Sequence, residues 1–261
     1  MINKSIVHIV KIGGNVINDS NQLRVFLANF ALLDGDKILV HGGGKKATEL
    51  SNQLGLAPKM MNGRRITDHD NLEVVTMVYA GLINKNIVAQ LQKNNCNAMG
   101  LSGADGNTIK AHKRIVKDID YGFAGDIDTV NQSTIKLLLE NKITPVFCAI
   151  THDNKGQLLN TNADTIASEI ASKLSKDYQS ILIYCFEKDG VLKDVTDSNS
   201  VIENIDLKKY AELKEDHIIS EGMLPKLENC FFALQHGVSK IIIGNPSIIA
   251  NKDQLSTTLT L

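Results

Sequence analysis

No two of the four cysteines, Cys96, Cys148, Cys185 and Cys230, form a C-x-x-C pair. That absence excludes a zinc spacing and a dense disulfide framework, and leaves the four as small, reduced core residues. Charge of neither sign is in excess: 28 Lys and Arg against 29 Asp and Glu give a net charge of −1. An extended nucleic-acid surface, which needs a basic excess, is thereby excluded, so any handling of phosphate must be local. The apolar run in "MINKSIVHIVKIGG" is too short and too β-branched for the core of a secretory signal, and no run approaches the length of a membrane span. The expected location is the cytoplasm, with no membrane partner. Two phosphate signatures are missing as well: the glycines are not followed by Gly-Lys-Ser/Thr as in a Walker A loop, and no G-x-G-x-x-G dinucleotide fingerprint occurs. No low-complexity linker and no short repeat divides the chain.

What is present reads as an ordinary globular chain of 261 residues, 43% hydrophobic and 22% charged, long enough for a sizeable core. The β-branched run "SIVHIVKI" predicts a strand, and "NQLRVFLANFALL" places Leu23, Phe26, Leu27 and Phe30 at helical spacing. "KILVH" then predicts a second strand, and "KKATELSNQLG" a helix stopped at Gly55. "NLEVVTMVYAGLINKNIVAQLQKN" predicts a long helix, and "NAMGLSGADGNTIKAHKR" turns between short strands. A helix over "QSTIKLLLEN", a strand over "ITPVFCAI" and a hairpin through "THDNKGQLLN" follow. Asn162 suits the N-cap of a helix over 162–174, ahead of a strand at "SILIYCF", a helix after "SEGMLPKL" and a late strand at "SKIIIGNP". Alternating strands and helices with near-continuous apolar strands predict an α/β fold: a mostly parallel open sheet sandwiched between helices, with two lobes sharing one continuous sheet.

In such a sheet the ligand crevice lies at the carboxyl ends of the strands. Gly13 and Gly14 end the first strand and Gly42, Gly43 and Gly44 end the second, so both glycine loops can face one crevice and offer bare N–H groups and helix N-termini to an anion. A single Gly-Gly pair also serves a plain strand-to-helix turn; two such loops with Lys11 beside the first point to phosphate or carboxylate. "LNTNADTIA" sets Asn160, Asn162 and Asp164 at alternate positions around a helix start, where each could be a cap. In a crevice with lysines, however, an aspartate can hold their ammonium groups by charge-assisted hydrogen bonds. Lys226 is the candidate second lysine, and Arg65 could fork onto a carboxylate, although its neighbour Arg64 is as good a surface arginine by sequence.

Taken in order, "KIGG" at 11, "HGGG" at 41, "NGRRITD" at 62, "GLSGADG" at 100, "YGFAGDI" at 121, "LNTNAD" at 159, "DGVL" at 189 and "GMLPKL" at 222 resemble the amino acid kinase family along nearly the whole chain. "NGRRITD", "GLSGADG" and "GFAGDI" are similar more narrowly to its members that act on acylated glutamate. The resemblance implies phosphoryl transfer from ATP, with magnesium carried by the nucleotide and no dedicated protein cage, to the side-chain carboxylate of N-acetyl-L-glutamate. It implies Lys11 and Lys226 as stabilisers of charge on the transferring group, with Asp164 orienting both. Gly43, Gly44, Arg65 and Asn160 would bind the acyl amino acid. Gly13, Gly14, Glu187, Lys188, Gly190, Leu192 and Ser220 would bind phosphate and nucleotide. Residues 1–175 would form the lobe for the acyl amino acid and dimerisation, and residues 176–261 the nucleotide lobe.

Two positions depart from the family's pattern. Phe186 and Glu187 stand where a Thr/Ser-Asp pair usually helps to frame the nucleotide, and Lys45 and Lys46 follow "HGGG" where a small or apolar residue or proline is common. The lysines are either a solvated helix start or a contact to a substrate with one more carboxylate, such as N-succinyl-L-glutamate. N-acetyl-aminoadipate is another candidate acceptor, and a non-catalytic amino-acid sensor on the same fold is the alternative of a different class. A dehydrogenase would require the missing dinucleotide fingerprint. Arginine-inhibited members carry an extra helix before the first strand, whereas this chain begins a few residues ahead of that strand. The expectation is therefore a homodimer without strong arginine feedback.

Overall fold

The computed structural model describes residues 4–61, 64–116, 118–216, 218–219, 223–251 and 253–261. Among these the strands form three sheets, the largest of eight strands in the spatial order Asn204–Ile205, Thr257–Leu259, Lys240–Gly244, Gln179–Cys185, Ile6–Ile12, Asp36–His41, Thr144–Cys148 and Ala98–Leu101. All neighbours run parallel except Lys240–Gly244 against Thr257–Leu259. The continuous, mostly parallel sheet expected from the sequence is present, and it runs from the early strands through to the late ones.

The central strand Ile6–Ile12 explains why its run is apolar throughout rather than alternating. It is paired on both sides, and Val7, Ile9, Val10 and Ile12 are fully buried. A side chain of this size stabilises by about 1.5–3 kcal/mol on burial. Helix Ala163–Leu174 packs across this strand and Gln179–Cys185, burying Ile166, Ile170 and Leu174. Its start is fixed by Asn162, whose side chain accepts from the N–H groups of Asp164 and Thr165 at 2.8 and 3.1 Å.

A second sheet, in the order Leu158–Asn160, Ile150–His152, Ile109–Lys113 and Gly125–Val130, was not separable in the sequence. The run "ITPVFCAI" reads as one strand, yet Thr144–Cys148 joins the large sheet and Ile150–His152 the small one. The hairpin through "THDNKGQLLN" is present, pairing Leu158 with His152 and Asn160 with Ile150.

The long helix runs from His69 to Lys93, with Met77–Ile83 in wider i→i+5 turns. By length and mean hydropathy, 1.2, it meets the requirement for a membrane span, which corrects the expectation that no run approaches that length. Its apolarity has a different use here. Val74, Val75, Val78, Tyr79, Ile83, Ile87 and Leu91 enter the core of the α/β fold.

Candidate active site

Because Lys11 stands opposite Val40 and Ile12 opposite His41 in the parallel register, both glycine loops leave the sheet side by side. Gly13 caps helix Gly14–Asn18, and Gly43 caps helix Gly44–Gln53. Lys45 bridges the two by donating from Nζ to Asn15 Oδ1. A Cβ placed on Gly42 would come within 3.9 Å of Ala163 Cβ, so the start of helix Ala163–Leu174 closes the third side.

The glycines in these loops exist for different reasons. At Gly43 a Cβ would stand 2.4 Å from Ile83 Cδ1 and 2.9 Å from Tyr79 Cδ1, so the widened turns of the long helix demand glycine there. At Gly13 and Gly14 a Cβ would meet nothing closer than 3.7 Å. Packing therefore does not require glycine at those two positions, and neither of them lines the two cavities described below.

His41 anchors the second loop from beneath. Its Nδ1 lies 2.8 Å from Gly42 O and its Nε2 3.1 Å from Asn84 Nδ2, whose amide also donates to Val146 O at 2.9 Å. Those partners fit a neutral ring with its proton on Nδ1, and complete burial lowers its pKa to about 4.

Lys11, 8% exposed, is the penultimate residue of the central strand and its Nζ pairs with Asp164 Oδ1 at 2.7 Å. Since Asn162 supplies the cap, Asp164 is free for this role. Tyr184, beside Lys11 in the sheet, donates its hydroxyl to the Asp164 carbonyl at 3.0 Å. Lys226, in the first turn of helix Leu224–Gln235, takes a different partner from the one expected: its Nζ lies 4.4 Å from the centroid of the Phe186 ring, and the ion pair to Asp164 is made by Lys11.

Two cavities flank this centre. One, of about 610 Å³, is lined by Gly43, Gly44, Arg65 and Asn160, all four of the residues predicted for the acyl amino acid. Arg65 is 7% exposed and donates through Nη2 to Thr48 Oγ1 at 2.6 Å and Gly44 O at 3.1 Å, which aims it at the glycine loop. Asn160 Nδ2 donates to Thr67 Oγ1 at 3.0 Å. Thr67 in turn exchanges backbone hydrogen bonds with Tyr121 and Phe123, joining "NGRRITD" to "YGFAGDI". Gly122, at φ +65°, permits this, because a Cβ there would lie 2.1 Å from Thr67 O.

The second cavity, of about 280 Å³, is lined by Glu187, Lys188, Gly190 and Leu192 from the predicted nucleotide set, together with Phe186 and Lys226. Ser220, and Asn62, Gly63 and Gly222 of the quoted motifs, lie outside the described residues.

Sequence reasoning missed Tyr79 and Arg114 in the first cavity. Arg114 donates from Nε to both Asp126 oxygens at 3.2 and 3.1 Å, and no local pattern marks it. The departure at Phe186 was the one visible signal for its contact with the lysines. Lys45 and Lys46 separate in the structure: Lys45 lines the cavity, whereas Lys46 is half-exposed and paired with Glu49 at 3.1 Å.

A cavity holding Arg65, a second cavity holding Lys226 and a lysine–aspartate pair beside the glycine loops fit a small-molecule phosphotransferase, and the chain belongs to the amino acid kinase family, which residues 7–245 match. Within it the similarity is to acetylglutamate kinases. That of Phocaeicola vulgatus is 52% identical over 92% of this chain and 94% of its own length. That of Cytophaga hutchinsonii is 53% identical over 91% and 90% respectively. Among solved structures, smu.665 from Streptococcus mutans superposes with a TM-score of 0.79 at 26% identity, over 97% of this chain and 98% of that one.

Proposed function

We propose that this chain transfers the γ-phosphoryl group of ATP to the side-chain carboxylate of N-acetyl-L-glutamate, forming an acyl phosphate and ADP, as the acetylglutamate kinases of arginine biosynthesis do. The observation that carries the reading is the Lys11–Asp164 pair, 2.7 Å apart, with Ala163 beside Asp164 lining the cavity that holds Arg65 and Phe186 beneath Lys11 lining the second. A carboxylate oxygen attacks the γ-phosphorus while the bond to the β–γ bridging oxygen breaks, and that oxygen leaves with ADP. Two anions must meet in line, so alignment and positive charge supply the catalysis. Lys11 and Lys226 stabilise the transferring group, Asp164 holds Lys11, and Gly13, Gly14, Gly43 and Gly44 donate N–H groups to phosphoryl and carboxylate oxygens. Arg65 grips the α-carboxylate and Asn160 the amino-acid portion. Glu187, Lys188, Gly190, Leu192 and Ser220 surround the nucleotide.

Magnesium belongs to the nucleotide in this reading, because Mg²⁺ keeps much of its water and binds through substrate phosphates. We assign residues 1–175 to the acyl amino acid and dimerisation and 176–261 to the nucleotide, in a cytoplasmic homodimer.

A substrate with one more carboxylate is a second reading, favoured by Lys45 and Arg64 in the wall of the same cavity as Arg65. The test is ATP-dependent acyl-phosphate formation, trapped with hydroxylamine, on N-acetyl-L-glutamate and N-succinyl-L-glutamate in parallel. Preference for the acetyl compound upholds the first reading, and preference for the succinyl compound makes Lys45 a specificity residue. Product from neither shifts the reading to another acid, such as N-acetyl-aminoadipate, or to the non-catalytic sensor.

A further inference from the structure

Phe186 follows strand Gln179–Cys185 and is fixed on two sides. Its N–H donates to Gly244 O at 2.8 Å, and its ring stacks on Tyr184 with centroids 5.9 Å apart and planes 13° from parallel. Tyr184 is itself buried and tied to Asp164 through its hydroxyl. Over this immobilised ring stand both crevice ammonium groups, Lys226 Nζ at 4.4 Å from the centroid and Lys11 Nζ at 5.4 Å. Both lie inside the roughly 6 Å reach of cation–π attraction.

We propose that Phe186 is a positioning residue for the phosphoryl-transfer step, holding the Lys226 ammonium beside Lys11 through its ring face. The inference rests on the reading of these lysines as catalytic. Lys11 has a carboxylate partner, whereas among the described residues no carboxylate lies within ion-pair distance of Lys226. A long, flexible stem with no anchor would have to be ordered during the reaction, and preorganised charge is what lowers the barrier.

The chemistry favours a ring for this purpose over a second acid. A carboxylate would hold Lys226 but cancel its charge where a triphosphate and a carboxylate must be brought together. The quadrupole of an aromatic face attracts the ammonium while adding no net charge, so the full positive charge stays available to the transferring group.

The experiment compares Phe186→Leu, which keeps apolar bulk but removes the ring, with Phe186→Tyr, which keeps the ring. Steady-state kinetics are measured together with calorimetric binding of a non-hydrolysable ATP analogue. The expected result is a fall in kcat of about tenfold in Phe186→Leu, with analogue affinity within about threefold of the parent and Phe186→Tyr within about twofold in kcat. Unchanged kcat in Phe186→Leu, a loss confined to nucleotide affinity, or equal impairment in both variants would overturn the proposal. The second outcome would make Phe186 a nucleotide contact. A readout independent of turnover is the ε-methylene resonance of Lys226 in lysine-labelled protein, assigned by its disappearance in Lys226→Met. It is shifted upfield by the ring in the parent and returns to its ordinary position in Phe186→Leu; an unshifted parent resonance overturns the contact even if that variant folds poorly. Full turnover in Lys226→Met would instead remove the catalytic reading, while the resonance still decides whether the ring holds the lysine.

Discussion

The Asn84 amide donates to His41 Nε2 at 3.1 Å, joining the middle of the long helix to the last residue of the second strand, with both side chains buried. A donor facing Nε2 rejects a second proton on the ring. The folded pKa is about 4 against 6.5 for the ordinary group, so between those values the unfolded chain binds more protons and stability rises with pH. The contribution of His41 is complete above about pH 6.5 and is lost as the pH falls through about 4. Its size is about 3 kcal/mol at 1.36 kcal/mol per pKa unit. Urea unfolding at pH 7.5 and 4.5 is expected to show a steeper loss in the parent than in His41→Gln; equal slopes would show that the ring does not titrate this way.

Lys226→Met keeps the length of the stem and removes the charge. We expect kcat to fall by about 10²–10³, with the dissociation constant for the acyl amino acid within about threefold. Equilibrium binding alongside single-turnover kinetics checks this, and a loss seen only in binding would move Lys226 out of the chemical step.

Arg65→Lys retains one charge but not the planar guanidinium, whose Nη2 donates to Thr48 Oγ1 and Gly44 O and whose Nη1 donates to Asn71 Oδ1. The expected result is a rise of about 10–100-fold in KM for the acyl amino acid, with KM for ATP little changed. Parallel effects on both substrates would mean that the change has distorted the glycine loop rather than the carboxylate clamp.

Gly43→Ala drives a methyl group into Ile83 Cδ1 and the Tyr79 ring. Destabilisation of about 1–3 kcal/mol is expected from overpacking. Ile83→Val removes the nearest clashing atom, so the double variant should recover part of the loss in thermal unfolding. Simple additivity of the two changes would place the clash elsewhere.

The four thiols are buried, and burial pushes the pKa of Cys148 and Cys185 up to about 12 and that of Cys230 higher still. In native buffer at pH 8 the chain is expected to resist iodoacetamide over hours, and to take up four equivalents in denaturant. Rapid modification of one cysteine in the native protein would reveal local opening around it.

The sequence made the middle of the large sheet legible because its central strands are largely apolar runs, and the crevice legible because glycines and Lys11 interrupt those runs at their ends; the edge strands Asn204–Ile205 and Thr257–Leu259 are short and polar and carry no such signal. The division of "ITPVFCAI" between two sheets was not legible, since both halves are equally apolar and only their partners differ. Arg65 was separated from Arg64 by burial, which no residue-level pattern carries: Arg65 is fixed by Thr48 and Gly44, and Arg64 is exposed. The partner of Lys226 was missed for a related reason. A lysine near an aspartate suggests an ion pair, and the competing ring lies forty residues away in sequence, on a different element.

The place of the first strand in the large sheet bears on how the chain is made. One edge of Ile6–Ile12 meets Asp36–His41 soon after it emerges, but the other waits for Gln179–Cys185. At ribosomal speeds of about 5–20 residues per second, that second edge stays without its neighbour for roughly 10–30 seconds. During that interval the nascent chain offers an apolar, β-branched ribbon to any other strand nearby. Asp164, which holds Lys11, emerges shortly before the strand that covers the edge, so the fixing of the Lys11 ammonium and protection from aggregation arrive together, late in synthesis.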